Sequence, residues 1–523
     1  MESSTARGKL MFASFLTLVA AGIGFATRAA SGSVWGAEYG IDGSQFGAIM
    51  GAGFLGFGAM IFFGGVLVEA LGYKLLLTIA FLLHLVSALM LFVTDSVFAT
   101  YPDDPEAATN AVFWVLWSSA LLFSICQGLY EAVINPLVAQ IYPESKTHYL
   151  NILHAGWPAG MIIGGLLSAG FLGSNAWFVS IPWEFVLASF ALVVVLYGVL
   201  AFPNRFPKAV GQSGGGFAKV FSCFASLPFL LLIILQGMVG YMELGVDSWI
   251  SKLMENLLPN AVIILVYTSA LMFILRFFAG PIVHRINPIG LLLSSSLIAI
   301  VGLLWLGSDI NSTIVLFAAA TFYSLGKAFL WPTMLGVAGE RYPQSGAVAM
   351  GALGAAGMLT VGLVAGPRIG AQQGNYMSVA LKETAPETFE RYASEKDTSE
   401  WGFTFQALNP TKLGAATSIE VLEDGKLKSV EPIENATAEL ISPAEKELLI
   451  ADAPVDVPAV KAANLRGGRK TLRMTALVPG CMAVGYLILL VYFRATGGYK
   501  QVEHEIDTED ALRTSAPAPS SDL

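Results

Sequence analysis

Of the chain's 523 residues, 55% are hydrophobic and only 13% charged, and the mean hydropathy is +0.65. A soluble chain carries charge on about a quarter of its residues, so most of this surface is expected to face lipid, which argues against an ordinary water-soluble enzyme. The net charge of −9 comes from acids gathered around 380–460 and in the tail and gives no reason to expect nucleic acid as a partner; Cys126, Cys223 and Cys481 sit singly in apolar runs, without disulfide or metal-ligand spacing, so no metal or cofactor is expected.

The first apolar run, from Leu10 to about Ala30, is too long for a cleaved leader and reads as a membrane helix. A span needs roughly 20 apolar residues, because in hydrocarbon the backbone must satisfy its own polar groups. Runs near 10–31, 44–70, 74–93, 111–141, 149–172 and 183–203 meet this, and a second series lies near 226–250, 260–283, 288–307, 312–336, 346–366 and 474–493. The sequence thus predicts an all-α membrane protein of twelve spans in two six-helix bundles. It divides into a first bundle at 1–203, a linker at 204–225, five further spans at 226–366, a polar insert at 367–470 on the outer side, a last helix at 471–494, and a disordered tail at 495–523.

Lys and Arg set the orientation. With both termini cytoplasmic, the inner side receives Arg7, Lys9, Lys74, Lys146, Arg205, Lys208, Lys219, Arg285, Arg341 and Arg494, whereas the short outer loops hold only Lys252. Arg466, Arg469, Lys470 and Arg473 break this bias, in a loop long enough to be exempt from it. The chain is expected to be a multi-pass protein of the cell membrane (the inner membrane if bacterial), a monomer in the bilayer whose partners are a small solute and protons.

The halves echo each other. Tyr142-Pro143-Glu144-Ser145 after span 4 has its counterpart in Tyr342-Pro343-Gln344-Ser345 after span 10, and Gly160-Met161 in Gly357-Met358. Such a repeat suggests two bundles rocking around a midplane site. The loop Gly65-Val66-Leu67-Val68-Glu69-Ala70-Leu71-Gly72-Tyr73-Lys74, with a degenerate partner at Gly280-Pro281-Ile282-Val283-His284-Arg285, resembles the loop motif of the major facilitator superfamily, with Glu69 in place of the usual Asp. The resemblance implies the major facilitator fold and a gating loop in which Gly65, Glu69, Gly72, Lys74 and Arg285 latch the cytoplasmic ends of the helices. A finer similarity, over about a fifth of the chain, is to the fucose–proton symporter family. It rests on Glu131, Asn135-Pro136, Leu150-Asn151 and the seventh-span run from Gly240 to Trp249; that family's first-span acid is replaced here by Arg28.

Ionisable groups inside a span are costly and mark candidate sites. Glu131 is the leading proton-coupling candidate, with Glu243 and His154 beside it. Glu243 and Asp247 share a helix face by their spacing, and Asp247, closer to the outer interface, is expected to be the more solvated. Arg276, whose planar fork suits a carboxylate, a phosphate or sugar hydroxyls, Lys327 and Arg28 are candidate substrate contacts, although Arg28 could also reach the headgroups. Asn135, Asn151, Trp249 and Trp331 complete the candidate set, the tryptophans as stacking surfaces for a sugar ring.

The insert, with short helices expected in its first part, is open to three readings, a lid, a partner-binding arm or plain linker, with linker foremost, and the sequons at Asn311 and Asn435 matter only in a glycosylating host. Proton-coupled sugar symport by alternating access is the first functional expectation. Symport of an organic anion, motivated by the three intramembrane cations, is the second, and a non-transporting receptor or scaffold is the third; no catalytic constellation is present.

Overall fold

The computed structural model describes residues 2–41, 43–173, 176–209, 220–253, 262–310, 312–417, 419, 421, 426, 427, 430, 433 and 441–502. The glycine-rich part of the linker, both sequon asparagines and the tail beyond Val502 lie outside them. Among the described residues eleven helices are long and apolar enough to cross a membrane. They are span 1 (Thr5–Ala30), span 2 (Gln45–Leu71), span 3 (Tyr73–Phe98), span 4 (Glu106–Ile141), span 5 (Pro143–Phe171), span 6 (Trp183–Ala201), span 7 (Leu227–Ile250), span 9 (Ala279–Leu306), span 10 (Thr313–Arg341), span 11 (Pro343–Thr384) and span 12 (Pro443–Ala495).

The eighth expected span is shorter, Ile263–Arg276. The chain breaks after it at Phe277-Phe278 and again at Asn287, whose φ of 55° ends one helix before Pro288 opens the next. There the Asn287 side chain accepts from the Gly290 N–H at 2.9 Å, satisfying a donor that has no partner within the helix.

Glycine sets the close crossings in both halves. A methyl group on Gly160 of span 5 would stand 2.2 Å from the Val19 carbonyl oxygen of span 1, and one on Gly240 of span 7 would stand 2.3 Å from the Gly357 carbonyl oxygen of span 11. Spans 1 and 5 thus cross as spans 7 and 11 do, which is the sequence echo made physical: only a missing side chain lets two backbones approach so closely. Spans 7 and 11 also carry π-turns, Tyr241–Gly245 and Val361–Ala365, that pack against each other.

The insert departs from the linker reading. Spans 11 and 12 continue past the expected apolar runs as helices to Thr384 and from Pro443. Between them lie a helix, Pro386–Tyr392, an antiparallel hairpin of β1 (Ala393–Glu400) and β2 (Phe403–Leu408), and a helix, Pro410–Thr417. Leu381, Phe389, Tyr392, Leu449 and Val457 form a core there, separate from the membrane bundle. Asp456, fully buried, accepts from Thr388 at 2.7 Å and from two nitrogens of Arg391 at 2.5 and 2.9 Å, and that bonding holds the Arg391 guanidinium above its usual range.

Two members of the basic cluster that breaks the charge bias, Arg469 and Arg473, have a structural role. Arg473 donates to the Gly307 carbonyl at 2.5 Å, and Arg469 donates to the Ile310 carbonyl at 2.5 Å and pairs with Asp309 at 3.1 Å. These side chains cap the C-terminal end of span 9 and fasten the extension of span 12 to it, where cations suit the helix dipole. The start of the tail is also folded: Gly497 and Gly498, both with positive φ, turn the chain back onto the end of the bundle that bears the two Tyr-Pro loops.

Candidate functional site

The two halves meet tightly at the Tyr-Pro end. Glu69, buried, accepts from the Ala347 N–H at 2.8 Å, placing a carboxylate on the N-terminus of a span 11 helix. Thr147 donates to Glu340 at 2.6 Å, Lys146 to the Gly339 carbonyl at 3.0 Å and Asn151 to Thr333 at 3.2 Å; the Gly280 N–H donates to His148 at 3.1 Å. Every one of these bonds joins the first half to the second. Tail residues add to the seal: Tyr499 donates to Glu340 at 2.6 Å, Arg341 to the Lys500 carbonyl at 2.5 Å and Gln501 to the Pro143 carbonyl at 2.6 Å.

Away from this seam, a narrow cavity lies between the halves in two adjoining compartments that share Phe57, Trp157, Leu244 and Met358 in their walls. The larger, toward the opposite end, is mostly aromatic and apolar, with Arg28, Gln127 and Ser124 from the first half and Asp247 and Ser248 from the second. The smaller holds Glu131, His154, Glu243, Arg276 and Trp331.

The charges in the second half neutralise one another. Arg276 pairs with Glu243 at 2.8 Å, donates to the Ala328 carbonyl at 2.8 Å and also donates to the His154 carbonyl. Lys327 lies 2.5 and 2.6 Å from the two oxygens of Asp247, which also accepts from Tyr323 at 3.0 Å. Burying either charge alone would be prohibitive, whereas a hydrogen-bonded pair is tolerable.

The first-half charges lack such partners. Glu131 accepts from Asn135 at 3.3 Å, and Asn135 in turn meets His154 at 2.9 Å, giving a short polar chain; the cation that acts on Glu131 across the compartment, Arg276, is itself paired with Glu243. Arg28 makes a long 3.4 Å bond to the Gly24 carbonyl and lies 4.5 Å from the centre of the Phe123 ring. Neither Arg28 nor Glu131 forms an ion pair among the described residues.

Residues 10–367 match the sequence profile of the Major Facilitator Superfamily. The chain belongs to that superfamily. It is therefore a membrane transporter, and solved structures of the superfamily share its fold at low identity. The proton:xylose symporter XylE of E. coli, bound to 6-bromo-6-deoxy-D-glucose, superposes with a TM-score of 0.58 at 14% identity, covering 69% of this chain and 88% of that one. The transporter FucP in its outward conformation gives 0.53 at 18% identity over 70% and 91%. A bacterial homologue of the human lysosomal transporter Spinster, inward-facing and unoccupied, gives 0.56 at 15% identity over 92% and 96%. No significant match exists among curated protein sequences.

Within this facilitator fold, Glu131, Glu243, Arg276, His154 and Trp331 come together around the smaller compartment, Asn135 lies just behind Glu131, and Arg28 faces the larger compartment, buried rather than reaching for headgroups. Others sit elsewhere. Asn151 is wholly buried in the seam against Thr147 and Thr333, and the Trp249 ring covers Gly370 rather than the cavity. Lys327 is locked to Asp247, and Asp247 is 8% exposed rather than solvated.

The gating loop also differs in detail: Glu69 holds the N-terminus of span 11, Lys74 donates to the Phe202 carbonyl at 2.9 Å, and Arg285 is exposed at the Tyr-Pro end. Gly65 and Gly72 serve the backbone. A methyl on Gly65 would stand 2.8 Å from the Ala347 oxygen, and Gly72 turns the chain at φ 84°. Sequence reasoning missed Gln127 and Phe123 in the cavity wall, since neither an amide nor a phenyl ring in an apolar run stands out without its neighbours.

Proposed function

We propose that this facilitator is a proton-coupled symporter of a small carboxylate-bearing solute, with Arg28 as the anion contact and Glu131 as the proton carrier. The single observation that carries this reading is that Arg28 and Glu131, the charged side chains of the cavity on the first half, form no ion pair among the described residues, while those of the second half are paired with one another. The three cations that motivated an anionic cargo thus reduce to one, Arg28, set among aromatic walls that would cover the apolar body of the solute. Glu131 can give and take a proton because the one cation that acts on it, Arg276, is held in an ion pair by Glu243 rather than by Glu131, and Asn135 and His154 give its proton a hydrogen-bonded neighbourhood. Entry of an anion with one proton is electrically neutral, so both could cross together as the seam at the Tyr-Pro end opens.

A neutral sugar is the second reading. Trp157 and Trp331 in the walls, and Gln127 as an amide within reach of hydroxyls, favour it. Competition separates the two: uptake of a labelled sugar acid by proteoliposomes under an inward proton gradient is expected to be inhibited by unlabelled sugar acids and not by the corresponding neutral hexose. Inhibition by the hexose alone, retained in Arg28→Gln, would overturn the anion reading.

A further inference from the structure

A second cavity lies outside the transport pathway, at the Tyr-Pro end, where the loop before span 9 meets the end of span 12. It is a groove of about 570 Å³ lined by His284 and Arg285 on one side, Arg494 on another, and Ile289, Leu293 and Leu490 beneath. Arg285 and Arg494 are exposed, and neither guanidinium forms an ion pair or hydrogen bond with another described residue. Their heights are fixed by the helices: Pro288 begins the continuous part of span 9 and Ala495 ends span 12, so both arginines stand at a membrane boundary. Below them the flank of span 12 is apolar and open to lipid, with Leu487 50% and Val491 60% exposed.

We infer that this groove binds an anionic phospholipid, its phosphate between Arg285 and Arg494 and an acyl chain along Leu293 and Leu490. The chemistry is that of basic pockets between spans, where paired cations at headgroup depth select an anionic headgroup and an apolar floor selects a lipid over a soluble anion. Charge complementarity and the continuity of the floor with the lipid-facing flank commit the site to a lipid rather than to free phosphate. Gly498 and Tyr499 form the remaining wall. The bound lipid therefore abuts the strap whose Tyr499 hydroxyl reaches Glu340 in the seam.

The test uses the purified full-length chain in a neutral detergent, titrated with palmitoyl-oleoyl phosphatidylglycerol or phosphatidylcholine, with retained lipid counted by native mass spectrometry. Phosphatidylglycerol is expected to be retained in preference to phosphatidylcholine, and millimolar inorganic phosphate is expected not to displace it. The double variant Arg285→Gln/Arg494→Gln should bind phosphatidylglycerol on the order of thirty-fold more weakly, from about 1 kcal/mol for each lost cation, with an unchanged thermal midpoint in lipid-free detergent. A chain ending at Val502 should bind it as the full chain does. Equal retention of the two lipids, undiminished binding by the double variant, or displacement by phosphate would each overturn the proposal. So would a large rise in binding on removing 503–523, which would assign the groove to the chain's own acidic tail.

Discussion

The two walls of the cavity treat charge in opposite ways. On the second-half wall each buried cation has its own carboxylate, Arg276 with Glu243 and Lys327 with Asp247. On the first-half wall Arg28 and Glu131 have amide, carbonyl and ring neighbours and no ion pair. A satisfied pair is an expensive but static solution, because moving either partner exposes the other. An unpaired charge beside a cavity is different: its stability depends on what enters. The difference teaches that the number of intramembrane charges is a poor guide to a site, and that how they are paired is a better one.

The largest effects should come from breaking the second-half pairs. Asp247→Asn leaves the Lys327 ammonium buried without a counter-charge and should cost about 3–5 kcal/mol. It should be read as loss of folded protein and a lowered thermal midpoint, with Asp247→Asn/Lys327→Met recovering much of the loss. If the single and double variants were equally damaged, the pair would not be a unit.

Arg28→Gln should behave in the opposite way. Stability should change by no more than about 1 kcal/mol, because no buried partner is orphaned. The KM for a carboxylate solute should rise at least about tenfold, equivalent to about 1.4 kcal/mol of lost binding, with little effect on a neutral analogue. A large stability loss without a KM effect would move Arg28 to the structural side of the comparison.

The seam offers a smaller effect. Glu69→Ala removes a charged cap from a helix N-terminus, worth about 1 kcal/mol, and should loosen the contact between the halves. Cys223, buried beside the Tyr-Pro end, is a natural reporter: in a Cys481→Ser background its labelling by a maleimide should quicken several-fold. Tyr499→Phe, which deletes one bond to Glu340, should give the same change at smaller amplitude, and unchanged labelling in both would separate these contacts from gate closure.

The spans were readable because the bilayer enforces long apolar runs, and the glycine echoes at Gly160 and Gly357 were readable because close backbone approach tolerates little else. Glu131 and Arg28 were visible as costly residues. Their isolation was not, because the partners of Arg276 and Lys327 lie on a different helix: Glu243 and Asp247 share one face of span 7 in sequence, yet each reaches a separate neighbour, span 8 or span 10. The folded insert was hidden because its core is assembled from scattered residues, Phe389 and Tyr392 on one helix and Leu449 and Val457 on another, within a polar average. Within the cluster from Arg466 to Arg473, the acceptors of Arg469 and Arg473, namely Gly307, Asp309 and Ile310, lie on a segment distant in sequence.

The central claim is that Glu131 carries the coupled proton. Glu131→Gln in proteoliposomes tests it through two assays on one preparation: accumulation of the solute driven by a proton gradient, and counterflow of labelled against unlabelled solute with no gradient. The account predicts that accumulation disappears while counterflow persists. Gradient-driven accumulation at the wild-type level in that variant would contradict it.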